Sequence, residues 1–299
     1  MAVTARWRLG TARRTGPWAA LAASLSLAHA RIVGKLLIGI PAIGLFCLIA
    51  QWPLWRPDNV SLAAANLLIT VTFYTISVFV YAEPGHRLTG LALAAAALLW
   101  PLNWVNEWQA GPLPLIAALN GPLAYLLAVW ALLRYPAHWR RRRYDAAAAV
   151  LLLFVQLSAG LQVVTSRPEW TGLPQGATWL TWWPSHTAYT VTRTGYDDGI
   201  VVVTVLAVVI LILRLARLTG PDRRVMRPVL VAIAVAGAST TISGIAVVAA
   251  VRHSTVHTLF TLEAIAQIGV PFAFLVAAAR RWLAREWVTK LIRDLGPSP

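Results

Sequence analysis

Long apolar runs are the feature that most constrains what this chain can fold into. A bilayer core of about 30 Å is crossed by roughly 20 apolar residues in a helix that rises about 1.5 Å per residue. Seven such runs are clear, and an eighth at 200–213 is shorter but dense in Val, Ile and Leu. The seven occupy 36–55, 60–82, 88–105, 112–133, 146–164, 229–251 and 258–279. We therefore predict an all-α, polytopic membrane bundle of about eight transmembrane helices in the cell membrane.

The distribution of charge supports a membrane protein. Only 12% of the 299 residues are charged and the mean hydropathy is +0.65, whereas ordinary soluble domains have about 25% charged residues. Eight crossings put 22 of the 26 Lys and Arg residues on one side and 4 on the other, and cytoplasmic loops carry such an excess. Topology thus explains the net charge of +15. We expect two cytoplasmic termini, a lipid bilayer as the first partner and no nucleic acid.

The N-terminal stretch imitates a secretory signal peptide. A basic segment at 6–14 precedes an apolar segment at 17–28, and Ala28-His29-Ala30 resembles a cleavage site. Cleavage would give an odd number of crossings or place the basic majority outside. We therefore predict a cytoplasmic interfacial segment at 17–30, with a ninth membrane element as the alternative. The predicted divisions are a basic cytoplasmic segment at 1–35, the transmembrane bundle at 36–279 and a basic cytoplasmic helix at 280–299.

One long external loop is predicted at 165–199, and it is rich in Trp and Tyr. Loops of this length are usually functional or disordered, and a high aromatic content disfavours disorder. Two interpretations stay open. The loop lies flat on the outer leaflet as part of an aromatic belt, or it binds an external ligand or partner. The residues it offers to a ligand are Trp179, Trp182, Trp183, His186, Asp197 and Asp198.

Glu263 is the exceptional ionisable residue at membrane depth, one turn into the last predicted span. Gln267 follows at i+4, on the same helical face. The pair either packs helices together through hydrogen bonds or forms a ligand, ion or proton site.

Known catalytic motifs are absent from the sequence. It contains no phosphate-binding loop, dinucleotide-binding glycine motif, zinc-binding pair of His on a helix, or nucleophile elbow. Cys47 is the only cysteine, which excludes an intramolecular disulfide and a cysteine-based metal cluster. We predict no catalytic residue, no cofactor and no metal site.

Several short loop motifs follow one another along the chain. They are PGHRLTG at 84–90, GPL at 121–123, LRYP at 133–136 and RRRYD at 141–145, followed by PFAFLV at 271–276, RR at 280–281, LAR at 283–285 and LIRDLG at 291–296. In this order they resemble the membrane-embedded N-terminal half of actinobacterial two-component sensor histidine kinases. The resemblance covers roughly residues 36–296 and rests on short loop motifs, not on catalytic residues.

The resemblance implies a membrane signal-input module, or sensor. In that family a kinase core follows the last span, but these residues contain neither a phosphoacceptor-His helix nor ATP-binding boxes. No kinase residue is carried over, and we expect the stimulus to be relayed to a kinase core on another chain. Within a complete protein the implied enzyme is a histidine kinase. The alternative function is a small multi-pass transporter or channel.

The C-terminal segment fits an output helix. Apolar residues recur there at intervals of four, three and four, which favours pairing with a kinase partner or with a second copy as a short coiled coil. A basic helix lying on anionic lipid is the alternative. The residues of the predicted seam are Ala284, Val288, Leu291 and Leu295.

Overall fold

The computed structural model describes residues 17–83, 85–135, 142–174, 177–217, 220–248 and 253–294. Within these ranges the secondary structure is helical, which confirms the predicted all-α fold. The eight α-helices are α1 (Pro17–Ala50), α2 (Val60–Ala82), α3 (Arg87–Leu99), α4 (Leu113–Arg134), α5 (Arg142–Thr165), α6 (His186–Arg217), α7 (Gly220–Val248) and α8 (His253–Asp294). Three 3₁₀ helices join them: η1 (Trp52–Leu54), η2 (Trp100–Trp108) and η3 (Pro168–Thr171).

The helices form one bundle in which each α-helix packs against the next in chain order, and α2 also packs against α8. Hydrogen bonds fix the register of neighbouring helices. The Tyr74 hydroxyl of α2 donates to the Lys35 carbonyl of α1 at 3.1 Å. Gln156 of α5 donates to the Leu119 carbonyl of α4, also at 3.1 Å.

The bundle has two chemically distinct ends. At the arginine-rich end, the Lys35 ammonium lies 4.8 Å from the centre of the Tyr81 ring, and the Arg281 guanidinium lies 5.4 Å from that of Tyr135. At the opposite, tryptophan-rich end, the Trp108 indole donates to the Ala50 carbonyl at 3.0 Å. Basic residues that gather at one end and indoles at the other are typical of a protein oriented in a membrane.

Small residues allow the closest approach between α2 and α3. A Cβ added to Gly90 would lie 2.6 Å from the backbone nitrogen of Tyr81. Ala92, Ala96 and Ala97 continue the buried face of α3. Without an aqueous driving force inside a bilayer, such close packing is what holds neighbouring helices together.

Five helices of the described residues contain a stretch that is long and apolar enough to cross a membrane, so the protein is a multi-pass membrane protein by this criterion. The predicted count of eight is therefore wrong by the same criterion. The five stretches are Ala30–Ala50, Val60–Ala82, Arg87–Trp108, Leu113–Ala131 and Thr261–Arg281.

The three predicted spans that fail the criterion are interrupted by polar residues or are short. The apolar parts of α5 and α7 are Ala149–Thr165 and Arg227–Ser243. The first turns of α6, before the predicted span at 200–213, carry ionisable residues such as Arg193. The end of the predicted seventh span, 249–251, lies outside the described residues.

The predicted interfacial segment at 17–30 belongs to helix α1, and its place relative to the membrane stays a prediction. Helix α1 runs without a break from Pro17 to Ala50. The segment predicted at 17–30 is therefore continuous with the first span, and the boundary predicted between residues 35 and 36 falls inside a helix.

Candidate functional site

Glu263 is held by two donors from two helices. The Thr240 hydroxyl of α7 and the Gln267 amide of α8 donate to the same carboxyl oxygen, Oε1, at 2.8 and 2.9 Å. The i, i+4 spacing therefore identified one contact correctly, whereas the role of Thr240 was missed. Its only sequence signal is its place in the row Ala236, Thr240, Gly244, whose spacing of four favours close helix packing.

A cavity of about 400 Å³, here called the polar cavity, lies beside Glu263 at the tryptophan-rich end. It lies between α2, η2 and α8, and its wall combines aromatic, amide and carboxyl side chains. The lining residues are Leu54, Asn59, Leu62, Asn66, Trp100, Asn103, Trp104, Glu107, Thr261, Glu263, Ala264 and Gln267.

Two residues in the wall of the polar cavity carry buried donors that no described protein group uses. Asn66 is only 2% exposed. Its Oδ1 accepts a hydrogen bond from the Trp100 indole at 3.1 Å, so the amide orientation follows from the network. Among the described residues, neither its Nδ2 nor the indole nitrogen of Trp104 has a hydrogen-bond partner. Buried polar groups normally have partners, so these two donors are exceptions among the described residues.

A second cavity of about 80 Å³, here called the apolar cavity, lies deeper in the bundle. It shares two wall residues, Trp100 and Gln267, with the polar cavity. Its wall also includes Tyr125 and Thr204, whose hydroxyl groups are hydrogen-bonded to each other. Trp100 and Gln267 therefore line both cavities. Gln267, which donates to Glu263, also borders the apolar cavity.

The predicted tryptophans of the external loop do not join this site. The Trp179 indole donates to the Ser166 hydroxyl at 2.8 Å. Trp182 and Trp183 are 83% and 71% exposed. Exposed indoles at the rim of a membrane bundle are in the position of interfacial anchors.

His186 and Asp197 lie in a separate aromatic cluster on the first turns of α6. The His186 ring is 5.2 Å from that of Trp170. Nε of Arg193 lies 3.9 Å from an Asp197 carboxyl oxygen. Burial raises the pKa of Asp197, with Asp198 acting in the same direction and Arg193 against it. Asp198 itself is exposed.

A third group, at the arginine-rich end, was not anticipated from the sequence. The Tyr135 ring lies 4.7 Å from Phe274 of α8 and 5.1 Å from His86. His86 Nε2 lies 3.9 Å from a carboxyl oxygen of buried Glu83. Burial raises the pKa of Tyr135 to about 12, Glu83 adds to the rise and Arg281 opposes it. Two of the short loop motifs, at 84–90 and 133–136, contain His86 and Tyr135.

The predicted output residues lie on the last turns of α8. Ala284 is exposed, and Val288 and Leu291 are 56% and 58% exposed. Leu283 is exposed as well. Leu295 lies outside the described residues. The described part of the predicted seam is thus an apolar surface available to another molecule.

Comparison with known proteins identifies no family. No protein-family model, no curated protein and no solved structure matches the chain. The resemblance to sensor histidine kinases therefore stays a prediction from short loop motifs. In the described ranges no group of three or more His, Cys, Asp and Glu side chains is placed to hold a metal ion.

Proposed function

We propose that the protein is a membrane signal-input module in which α8 relays a change in the bundle to a kinase core on another chain. The observation that carries this proposal is the continuity of α8 from His253 to Asp294. One unbroken helix contains Glu263 in the cavity wall, Phe274 and Arg281 beside Tyr135, and the exposed residue Leu291. At about 1.5 Å per residue, Glu263 and Leu291 are roughly 42 Å apart along it.

The relay is a shift between two packings of the bundle. Glu263 of α8 accepts a hydrogen bond from Thr240 of α7. A stimulus that favours a different packing of α7 and α8 around Glu263 therefore moves α8 relative to α7. Pro271 lies inside α8, and a proline in a helix interior is a common point of bending. The contact of Tyr135 with Phe274 then holds α8 against α4 where α8 leaves the bundle.

The proposal places the exposed end of α8 in the cytoplasm, where a kinase core would be. The arginine-rich end is on that side by the positive-inside rule. Tyr135 directly follows α4 and contacts both His86 and Arg281, so α4 ends at the arginine-rich end. Helix α8 starts at the opposite end, beside the polar cavity. If α1 to α4 and α8 cross the membrane, then α5 to α7 must together cross it an odd number of times.

Reporter fusions test this topology. A cytoplasm-active reporter joined after residue 135 or residue 294 should give a signal, and one inserted at 177–183 should give none. A signal from the 177–183 insertion together with silence after residue 294 would invert the orientation and remove α8 as a route to a cytoplasmic partner.

A transporter for a small molecule is the second candidate, and one observation favours it. Helix η2 continues the third candidate span as nine residues of 3₁₀ helix and lines the polar cavity. Runs of 3₁₀ helix longer than three or four residues are uncommon, and broken helices often line transporter sites. The continuous course of α2 and α8 past the same cavity favours a sensor.

A chimera separates the two functions. The chain is fused after residue 294 to a histidine-kinase core, with zero to seven residues inserted at the junction. Autophosphorylation is then measured in membrane vesicles. If α8 transmits its rotation, activity should oscillate with helical phase, since each inserted residue turns the helix by about 100°.

The seven-residue insertion is the matched control, because it restores the phase to within about 20°. It should recover the activity that insertions of one or two residues change. Activity that is independent of insertion length would contradict the relay. Uptake of a labelled small molecule by proteoliposomes, combined with such indifference, would establish the transporter instead.

A further inference from the structure

A cavity of about 290 Å³, here called the loop cavity, lies at the tryptophan-rich end of the bundle. Its wall is built from η2, α4, α5, α6 and the external loop, which contributes Thr171, Leu173 and Trp179. The volume is close to the lower end of the range for small-molecule sites, about 300–1,000 Å³. Five parts of the chain therefore surround a space large enough for a small molecule.

Hydrogen bonds fix the external loop where it borders this cavity. The Trp179 indole donates to the Ser166 hydroxyl at 2.8 Å, and the Thr181 hydroxyl donates to the Ser166 carbonyl at 2.9 Å. The Tyr189 hydroxyl of α6 donates to the Trp170 carbonyl at 3.0 Å. The described part of the loop is therefore a preset wall, and a wall that is already ordered lowers the cost of binding.

The wall of the loop cavity is polar but uncharged. The described lining residues include no Asp, Glu, Lys, Arg or His, and their polar side chains are amides, hydroxyls and an indole. Burying an unpaired ionic group costs far more free energy than burying a hydroxyl that finds a hydrogen-bond partner. Ala117, Ala118 and Gly121 of α4 are small and leave the space open. The cavity therefore selects for an uncharged polar molecule.

Two polar side chains in this wall have no partner among the described residues. The Tyr196 hydroxyl and the Gln162 amide line the cavity, both residues are half-buried, and neither group hydrogen-bonds to another described residue. Their polar atoms keep accessible surface, unlike Oδ1 of Asn103 and of Asn106, which are fully buried. Hydroxyl and amide groups both donate and accept. A molecule whose own groups donate and accept can therefore satisfy both side chains.

Two further groups of the wall can only accept. The Thr171 hydroxyl donates its proton to the Pro168 carbonyl at 2.7 Å, so its oxygen has only acceptor capacity left. Pro122 lies inside α4 and has no N–H, so the Ala118 carbonyl four residues earlier lacks its helical donor. Thr171, Ala118 and Pro122 all line the loop cavity. These acceptors favour a ligand with several donors, which hydroxyl groups supply without charge.

We propose that the loop cavity binds a small uncharged polyol. Its hydroxyl groups exchange hydrogen bonds with Tyr196 and Gln162 and donate to the Thr171 oxygen, and its C–H groups pack against the Trp179 ring. This inference goes beyond the proposed relay, because the described lining residues include none from α8. Binding is measured on the purified chain, so its failure is distinguishable from failure of the relay.

Saturation-transfer NMR on the full chain in phosphatidylcholine nanodiscs tests the site. The probes are glycerol, myo-inositol and glucose, compared with glucuronate and choline, which carry hydroxyl groups together with a charge. At least one polyol should bind, and both charged compounds should bind about tenfold more weakly or less. No polyol signal above that of empty nanodiscs would mean that the cavity holds only water and would overturn the proposal. Equal binding of a charged compound would overturn it as well.

Two substitutions assign the site to this cavity. Tyr196→Phe and Gln162→Leu each remove a group that has no partner among the described residues, so thermal unfolding should occur near the wild-type temperature. Each should weaken binding of the polyol about two- to tenfold, which corresponds to the loss of one neutral hydrogen bond. Wild-type stability combined with weaker binding separates a ligand contact from a structural role.

Matched controls remove the same kinds of group elsewhere. Tyr74→Phe removes a hydroxyl that donates to the Lys35 carbonyl. Asn120→Leu removes an amide that donates to the Ile116 carbonyl within α4. Both variants should bind the polyol as the wild type does. An unchanged affinity in both Tyr196→Phe and Gln162→Leu, or equal losses in the controls, would refute the assignment.

Discussion

Replacing Gly90 by Ala tests the close contact between α2 and α3. An added Cβ would lie 2.6 Å from the Tyr81 nitrogen and 2.7 Å from its Cα. These are backbone atoms, so no rotamer change relieves the contact. Reaching an ordinary separation of 3.4 Å requires α3 to retreat by 3.4 − 2.6, or about 0.8 Å. Strain of this kind in a packed interior costs about 1–3 kcal/mol.

The control for Gly90→Ala is Gly160→Ala in α5, where an added Cβ meets nothing within 4 Å. Both changes carry the same helix-propensity gain, up to about 1 kcal/mol. The difference between the two variants therefore isolates the α2–α3 contact. Denaturant unfolding in detergent, followed by circular dichroism, should show Gly90→Ala to be the less stable by about 1–3 kcal/mol. Equal stabilities would refute the close approach.

Three further predictions use the same unfolding assay or a labelling assay. The pKa of Tyr135 is raised from an ordinary 10.0 to about 12. The free energy of unfolding should therefore fall by about 1–3 kcal/mol as the pH rises from 10 towards 12. Tyr135→Phe should abolish this fall. The pKa of Asp197 is raised above 3.8, so acidification towards that value should stabilise the wild type relative to Asp197→Asn; the opposite trend would show that Arg193 outweighs burial. Cys47 is fully buried, so a maleimide should label it only after unfolding.

The helical fold was predictable because apolar runs and basic loops reflect a single physical requirement. Inside a bilayer the backbone must satisfy its own hydrogen bonds, and a helix does so locally. The number of spans was less predictable. The run at 200–213 continues a helix that begins at His186, and composition alone does not show where such a helix meets the membrane.

The site was only half predictable for a related reason. Glu263 and Gln267 are four residues apart in one helix, so their contact follows from helical geometry. Asn66 is not identifiable as part of the site from the sequence, because its cavity combines helices that are distant in sequence. The same holds for Tyr135, whose partners His86 and Phe274 come from separate segments. Tertiary contacts of this kind leave no periodic signal.

The central claim is that a change beside Glu263 moves the end of α8. Spin labels at Leu37→Cys in α1 and Leu291→Cys in α8 occupy exposed positions, and Cys47 is buried and the only native cysteine. Electron–electron double resonance, with labelled protein diluted in unlabelled chain, measures the distance between the two labels. Thr240→Val removes one hydrogen bond to Glu263.

Thr72→Val is the matched control for this measurement, because among the described residues Thr72 donates only to the Leu68 carbonyl of its own helix. The account predicts that Thr240→Val shifts the distribution of distances between the labels at positions 37 and 291, and that Thr72→Val leaves it as in the wild type. Identical distributions in all three proteins, with Thr240→Val still folded, would contradict transmission through α8.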